Sequence, residues 1–85
     1  MAKSLQCVIV TPEKAILDET AEMIILPMID GELGIQVGRS ALVGRLGKGE
    51  LRLNQNGTTK KLIIDGGFAQ VRNNVVTVLT SKVLS

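Results

Sequence analysis

Two stretches of the chain alternate apolar and polar residues with a period of two. In ELRLNQ, Leu51 and Leu53 point one way and Glu50, Arg52 and Asn54 the other; in NVVTVLT, Val75, Thr77 and Leu79 oppose Val76, Val78 and Thr80. The first pattern predicts a strand with one wet face, and the second is apolar enough to be covered on both. Turn signals punctuate the chain between such runs: TPE from Thr11, DGE at Asp30, GKG at Gly47, NQNGT around Asn56-Gly57, DGG at Asp65 and RNN at Arg72. Asn-Gly tolerates the positive φ angles of a type I′ turn, so GELRLNQ and TTKKLIID read as a hairpin, and GFAQV and VVTVL as a second joined through Asn73-Asn74. Upstream, SLQCVIV, KAILD, AEMIILP, LGIQV and SALVGRL read as further short strands, with Pro27 closing the third because it cannot donate to a central ladder. Roughly eight to ten short strands, with no sustained helical period, predict an all-β fold: a flattened antiparallel β-sandwich or barrel.

Composition narrows this picture. A chain of 85 residues supplies one core, so a single domain over 1–85 is expected, with no linker, repeat or low-complexity segment. Hydrophobic residues make up 45% but aromatic residues only 1%, which requires a core of Val, Ile and Leu with Phe68 as its one large ring. Ten basic and eight acidic residues are dispersed, and with one Phe and no Tyr or Trp there is neither a basic groove nor a stacking platform for nucleic acid. Cys7 stands alone within LQCVIV and is expected to be a small buried hydrophobe in a reducing compartment. The apolar run near the N-terminus is too short for a secretory core or a membrane span, so a cytosolic protein is expected.

The chemistry-bearing residues argue against catalysis. Without His or Tyr, and with one Cys inside a strand, the chain lacks the commonest general base and any Ser/His or Cys/His arrangement. A zinc centre would need carboxylates almost alone, so no metal and no cofactor are expected. The carboxylate pairs Asp18-Glu19 and Asp30/Glu32 lie beside turns and read as solvated charges. GRLGKGE has a Gly-Lys step but neither the following Ser/Thr nor a helix N-terminus to hold an anion, and DGELG lacks the alternating oxygen ligands of a calcium loop. A biotinyl or lipoyl carrier is excluded too, since Met23 and Met28 have no Lys neighbour and Lys14, Lys48 and Lys60 sit in no carrier frame. Gly31, Gly34 and Gly38 are better explained by positive φ or by close strand approach.

Five markers occur in order: TPE after the first strand, LP..DGE.GI from Leu26 to Ile35, G.L..G.LR from Gly44 to Arg52, GGFA.V from Gly66 to Val71, and N.VTVL from Asn74 to Leu79. With them the chain resembles, from about Leu5 to Val83, the N-terminal domain of the epsilon subunits of bacterial F-type ATP synthases. The resemblance implies a flattened sandwich and a non-catalytic rotor role at the foot of the central stalk. Such a subunit binds gamma and rests on the polar loops of the c-subunit ring, at the cytoplasmic face of the bacterial inner membrane. Most family members continue into a C-terminal helical hairpin that inhibits ATP hydrolysis; this sequence stops at Ser85 and resembles the short forms without it. Where the family has Pro-Gly-His-Ala-Pro, it reads Val37-Gly38-Arg39-Ser40-Ala41, which loses both prolines and carries a permanent cation in place of His.

By the resemblance, a loop at the end of the sandwich containing Asp30, Gly31 and Glu32 together with Gly38 and Arg39 approaches the c ring. Glu32 would pair with a basic loop residue, and Arg39 with an acid or backbone carbonyls. Thr11 and Leu42, Val43 and Gly44 match positions that face gamma, although Leu42 is equally suited to a core role. Phe68 is expected in the core. A stand-alone β-sandwich adaptor in another complex is the alternative, and association with gamma and c subunits separates the two.

Overall fold

Asn56 and Gly57, at φ 51° and 83°, and Asn73 and Asn74, at φ 51° and 63°, form the two left-handed turns that the sequence predicts between strands. In the computed structural model, which describes residues 4–84, these turns belong to an architecture of seven strands. They are β1 (Leu5–Val10), β2 (Ala15–Ala21), β3 (Met23–Met28), β4 (Gly31–Gln36), β5 (Leu42–Gln55), β6 (Thr58–Arg72) and β7 (Val75–Leu79). The ladder runs β2-β1-β7-β6-β5-β3-β4, antiparallel throughout except for the parallel pair β1 and β7.

The all-β sandwich stands, but with fewer and longer strands than expected. LVGRL of SALVGRL and all of GELRLNQ lie within the single strand β5, and TTKKLIID and GFAQV within β6. The intervening GKG and DGG are bends in paired strands rather than reversals: the ladder keeps one register from Leu42 opposite Val71 to Gln55 opposite Thr58. Gly66 and Gly67 supply the bend at φ 75° and 120°. A Cβ on Gly67 would run into the Leu79 carbonyl and lie 2.9 Å from Thr80 Cα, so only glycine lets β6 pass this corner. On the other flank, Leu26 and Pro27 of β3 face the longer stretch Gly47 to Leu51 of β5, a bulge that accommodates a proline without losing a ladder donor.

The bend divides the ladder into two packed layers. The first half of β5 and the second half of β6 continue into β7, β1 and β2; the second half of β5 and the first half of β6 continue into β3 and β4. Between them lies one aliphatic core, built by alternation: Leu5, Cys7 and Ile9 from β1, Ile24 and Leu26 from β3, Leu51 and Leu53 from β5, Ala69 and Val71 from β6, and Val76 and Val78 from β7. Gln55 Nε2 closes the far edge by donating to Glu19 Oε1 at 2.7 Å and to the Thr20 carbonyl at 3.0 Å. After β7 the chain turns back along β6, where Val83 bridges Ile64 and the Leu84 N–H donates to the Ile63 carbonyl at 2.7 Å.

Phe68 is a correction. It is 52% exposed, not core, because Ala69 and Val71 take the inward phase of β6 and leave Phe68 and Gln70 outside. NVVTVLT is likewise covered on one side only: Val76, Val78 and Thr80 are buried, whereas Leu79 is 52% exposed beside Phe68.

Candidate interaction surfaces

β4 is an edge strand, and the expected ring-facing residues are distributed along it rather than gathered in one loop. Ile29 and Asp30 form the exposed turn from β3, Gly31 opens β4 opposite Met28 at φ 125°, and Glu32 follows opposite Pro27. Gly38 and Arg39 occupy the exposed turn at the other end of β4, so roughly 20 Å of extended chain separates the two groups. The expectation of a single loop is therefore corrected to a rim with a turn at each end. The Gly38 N–H donates to Asn74 Oδ1 at 2.8 Å, which ties the second turn to the β6–β7 hairpin, and the Arg39 N–H donates to the Gln36 carbonyl at 3.2 Å to close the turn itself.

Ile29 and Val37 are exposed in the two end turns, while polar and charged side chains stand on the strands next to this rim. Arg52 and Asn54 of β5 stand opposite Lys61 and Thr59 of β6, and the Arg52 guanidinium lies 3.0 Å from Glu32 Oε1 and 3.4 Å from Glu50 Oε1. At the remote end, Glu19 of β2 accepts hydrogen bonds from Gln55 and Lys60, which hold its carboxyl below the usual glutamate range.

The outer surface of the other layer is different in kind. Across one ladder row the side chains run Arg45, Phe68, Leu79 and Val10, and across the next Val43, Gln70, Thr77 and Val8. Val43 is 74% exposed. Phe68 and Leu79 join Val10, Thr11 and Pro12 around an apolar groove of about 410 Å³. Thr11 is nearly buried: its hydroxyl donates to the Lys14 carbonyl at 3.1 Å and accepts from the Lys14 N–H at 3.3 Å, so its polar atoms hold the β1–β2 turn. Within Leu42 to Gly44 only Val43 points outward. Leu42 packs against the core, and Gly44 leaves room for the Met28 methyl.

The residues expected to face gamma thus divide between this face and the interior beneath it. Phe68, Leu79 and Pro12 of the same face escaped the sequence reading. The signal that could have found Phe68 is its phase: it alternates with Ala69 and Val71 but shares a side with Gln70.

Neither surface carries a reactive constellation. Cys7 is fully buried, and burial, followed by the nearby Glu19 and Asp18 carboxylates, pushes its thiol up to about 12, so it stays protonated and inert. Among the described residues no group of three His, Cys, Asp or Glu is placed to hold a metal ion.

An all-β sandwich with an apolar groove on one layer and a more polar, ion-paired exterior on the other has the build of an interaction domain. The chain belongs to the family described as the ATP synthase delta/epsilon chain beta-sandwich domain, which matches residues 4–85. It is 51% identical over 81 residues to the ATP synthase epsilon chain of Rhodopirellula baltica, covering 95% of this chain and 63% of that one. It is 42% identical over 79 residues to that of Desulforamulus reducens, covering 93% and 60%. The chain therefore spans less than two thirds of the length of these relatives. Among solved structures, a chain of the Euglena gracilis mitochondrial ATP synthase OSCP/F1/c-ring matches with a TM-score of 0.91 at 25% identity, over 99% of this chain and 54% of that one. A chain of the Tetrahymena thermophila mitochondrial ATP synthase central stalk and c-ring matches in fold, with a TM-score of 0.78 at 18% identity, over 95% and 66%.

Proposed function

We propose that this chain is a non-catalytic central-stalk subunit of an F-type ATP synthase, at the cytoplasmic face of a bacterial inner membrane. It bridges the gamma subunit and the c ring, and so helps to couple ion translocation to ATP synthesis. The observation that carries this reading is the division of the surface: a bridging subunit needs two non-overlapping contacts of different chemistry, and the two layers offer one each.

Gamma takes the apolar outer face, with Val43 and the Thr11 groove as its reach, and Leu42 and Gly44 acting from beneath. Covering the open halves of Phe68 and Leu79 contributes on the order of 1 kcal/mol each, a part of the contact that the remainder of the face must complete. The polar loops of the c ring meet the β4 rim, with Asp30, Gly31 and Glu32 at one end and Gly38 and Arg39 at the other. Opposite charges at the two ends favour one orientation on the loops, a contribution to specificity more than to affinity. The rigid sandwich between the faces conveys torque without bond-making chemistry.

Site-directed cross-linking in the assembled complex tests this. Cysteines replacing Val43, Glu32 and Arg39 one at a time should join gamma from the first position and subunit c from the other two. Cross-links to subunit c from Glu32 but not Arg39 would restore a loop-tip contact in place of the rim. Failure of both contacts in a folded protein would favour an adaptor in some other assembly.

A further inference from the structure

Glu32 sits on an edge strand with an exposed side chain, an arrangement that by itself leaves a carboxylate free to rotate. It is not free here. Arg52 projects from β5, two strands away in the ladder, and reaches across β3 to place Nη2 3.0 Å from Glu32 Oε1. The surface it crosses carries Ile25 and Pro27, directly paired with Arg52 and Glu32, so its aliphatic stem has apolar cover and its head meets no competing charge on β3. Glu50, two residues earlier on the same face of β5, takes the other end of the fork at 3.4 Å. The Arg52 side chain is 29% exposed, against 57% for Glu32, so the cation is the better-held partner and the carboxylate the more open one.

We propose that Arg52 is a positioning residue for the c-ring contact. Anchored by Glu50, it holds the Glu32 carboxylate in one orientation on the β4 rim, with lone pairs left open toward a cationic side chain of the partner. The proposal rests on the reading of Glu32 as a ring contact. Its physical basis is preorganisation: immobilising a glutamate costs conformational entropy on binding, and Arg52 removes that cost beforehand. Within the ion-paired cluster two carboxylates about one guanidinium leave one net negative charge, and Lys61, opposite Arg52 on β6, lies a strand further from Glu32, so the bound Arg52 does not cancel the attraction for a partner cation. Lysine would keep the charge but lose the planar fork that serves both carboxylates at once.

The test uses the full chain in its complex with gamma, and purified c rings in detergent as the probe. Arg52→Gln should weaken association about three- to tenfold, close to the loss from Glu32→Gln, and the double variant should be no weaker than Glu32→Gln alone. Arg52→Lys should fall between wild type and Arg52→Gln. Glu32→Gln should flatten the salt dependence of binding, whereas Arg52→Gln, which leaves both carboxylates unneutralised, should steepen it while still weakening association, a combination that a merely structural role would not produce. Binding that is unchanged or tighter in Arg52→Gln while Glu32→Gln weakens it would overturn the proposal, making Arg52 a bystander or a competitor for Glu32. If Glu32→Gln itself leaves ring binding unaltered, the contact reading fails and the proposal with it. NMR of the free chain separates these failures, because the Glu32 side-chain carboxylate resonance shifts on Arg52→Gln only if the pair exists.

Discussion

The two layers share one core yet present opposite exteriors. Behind β1, β7 and the second half of β6, the outward positions hold Val10, Leu79 and Phe68; behind β3 and the second half of β5, they hold Ile25, Arg52, Glu50 and Asn54, with Lys61 alongside. Inward residues on both layers are the same aliphatic kind, because either half must fill the same interior. Folding therefore constrains one phase of each strand strongly and the other weakly. The outward phase is where binding chemistry can differ, and the corner at Gly66-Gly67 keeps the two exteriors on separate layers.

The largest effect is expected from removing that corner. Gly67→Val forces a β-branched residue into φ 120° and onto the Leu79 backbone, and should cost about 3 kcal/mol or more, seen as a lowered urea midpoint or outright loss of folding. Gly57→Ala is the control: its φ is also positive, at 83°, but nothing lies within 4 Å of the added methyl. It should cost only about 1 kcal/mol. Equal losses at the two sites would mean that conformation alone matters, and that the close passage of β6 over β7 does not separate the layers.

The interior common to both faces has its own probe in Cys7. Its folded-state pKa of about 12 lies above the unfolded value near 9, so the folded state retains the proton more strongly. The associated stability is fully present below pH 9 and is lost as pH rises toward 12, by up to a few kcal/mol. Urea titrations across that range should show a decline that is smaller in Cys7→Ala. The same burial predicts that native protein resists thiol alkylation at pH 8, while protein unfolded in urea reacts.

The apolar exterior comes next in size. Phe68→Ser and Leu79→Ser remove half-exposed side chains, so each should change folding stability by no more than about 1 kcal/mol while weakening binding to gamma about tenfold. Core truncation behaves in the opposite way. Leu51→Ala, fully buried, should cost about 2–5 kcal/mol of stability whatever the partner. Isothermal titration with gamma, alongside urea melts, distinguishes the two classes; a large stability loss in Phe68→Ser would return that ring to the core.

These differences also explain which parts of the molecule were legible in the sequence. The Asn56-Gly57 and Asn73-Asn74 hairpins were readable because a two-residue left-handed turn is a local property. Gly47 and Gly66-Gly67 carry the same local signals, but whether a glycine pair reverses the chain or bends it depends on which strands pair around it. The expected clustering of Asp30 and Arg39 in one loop rests on the family resemblance, although the strand LGIQV predicted between them already sets the distance. Phe68 was assigned by scarcity, as the only ring available, when its phase with Gln70 was the stronger physical indicator. The Glu32–Arg52 pair could not be read at all, since it depends on β5 lying two strands from β4.

The smallest expected effect belongs to the polar seam joining the two layers at their far edge. Glu19 receives hydrogen bonds from Gln55 and Lys60 that favour its charged form, so its folded pKa lies below the unfolded value of 4.5. This contribution to stability is present above pH 4.5 and is lost as pH falls through the lowered folded value. Because the pair is solvent-exposed, water and salt screen it, and Glu19→Gln should shift the acid limb of the stability curve only slightly. Chemical-shift titration of the Glu19 carboxylate provides the sharper measurement. Gln55→Ala and Lys60→Met should each move its midpoint upward, since the hydrogen bond from Gln55 and the hydrogen bond and charge of Lys60 all favour the charged form. A midpoint unmoved by either change would mean that this seam does not close in solution.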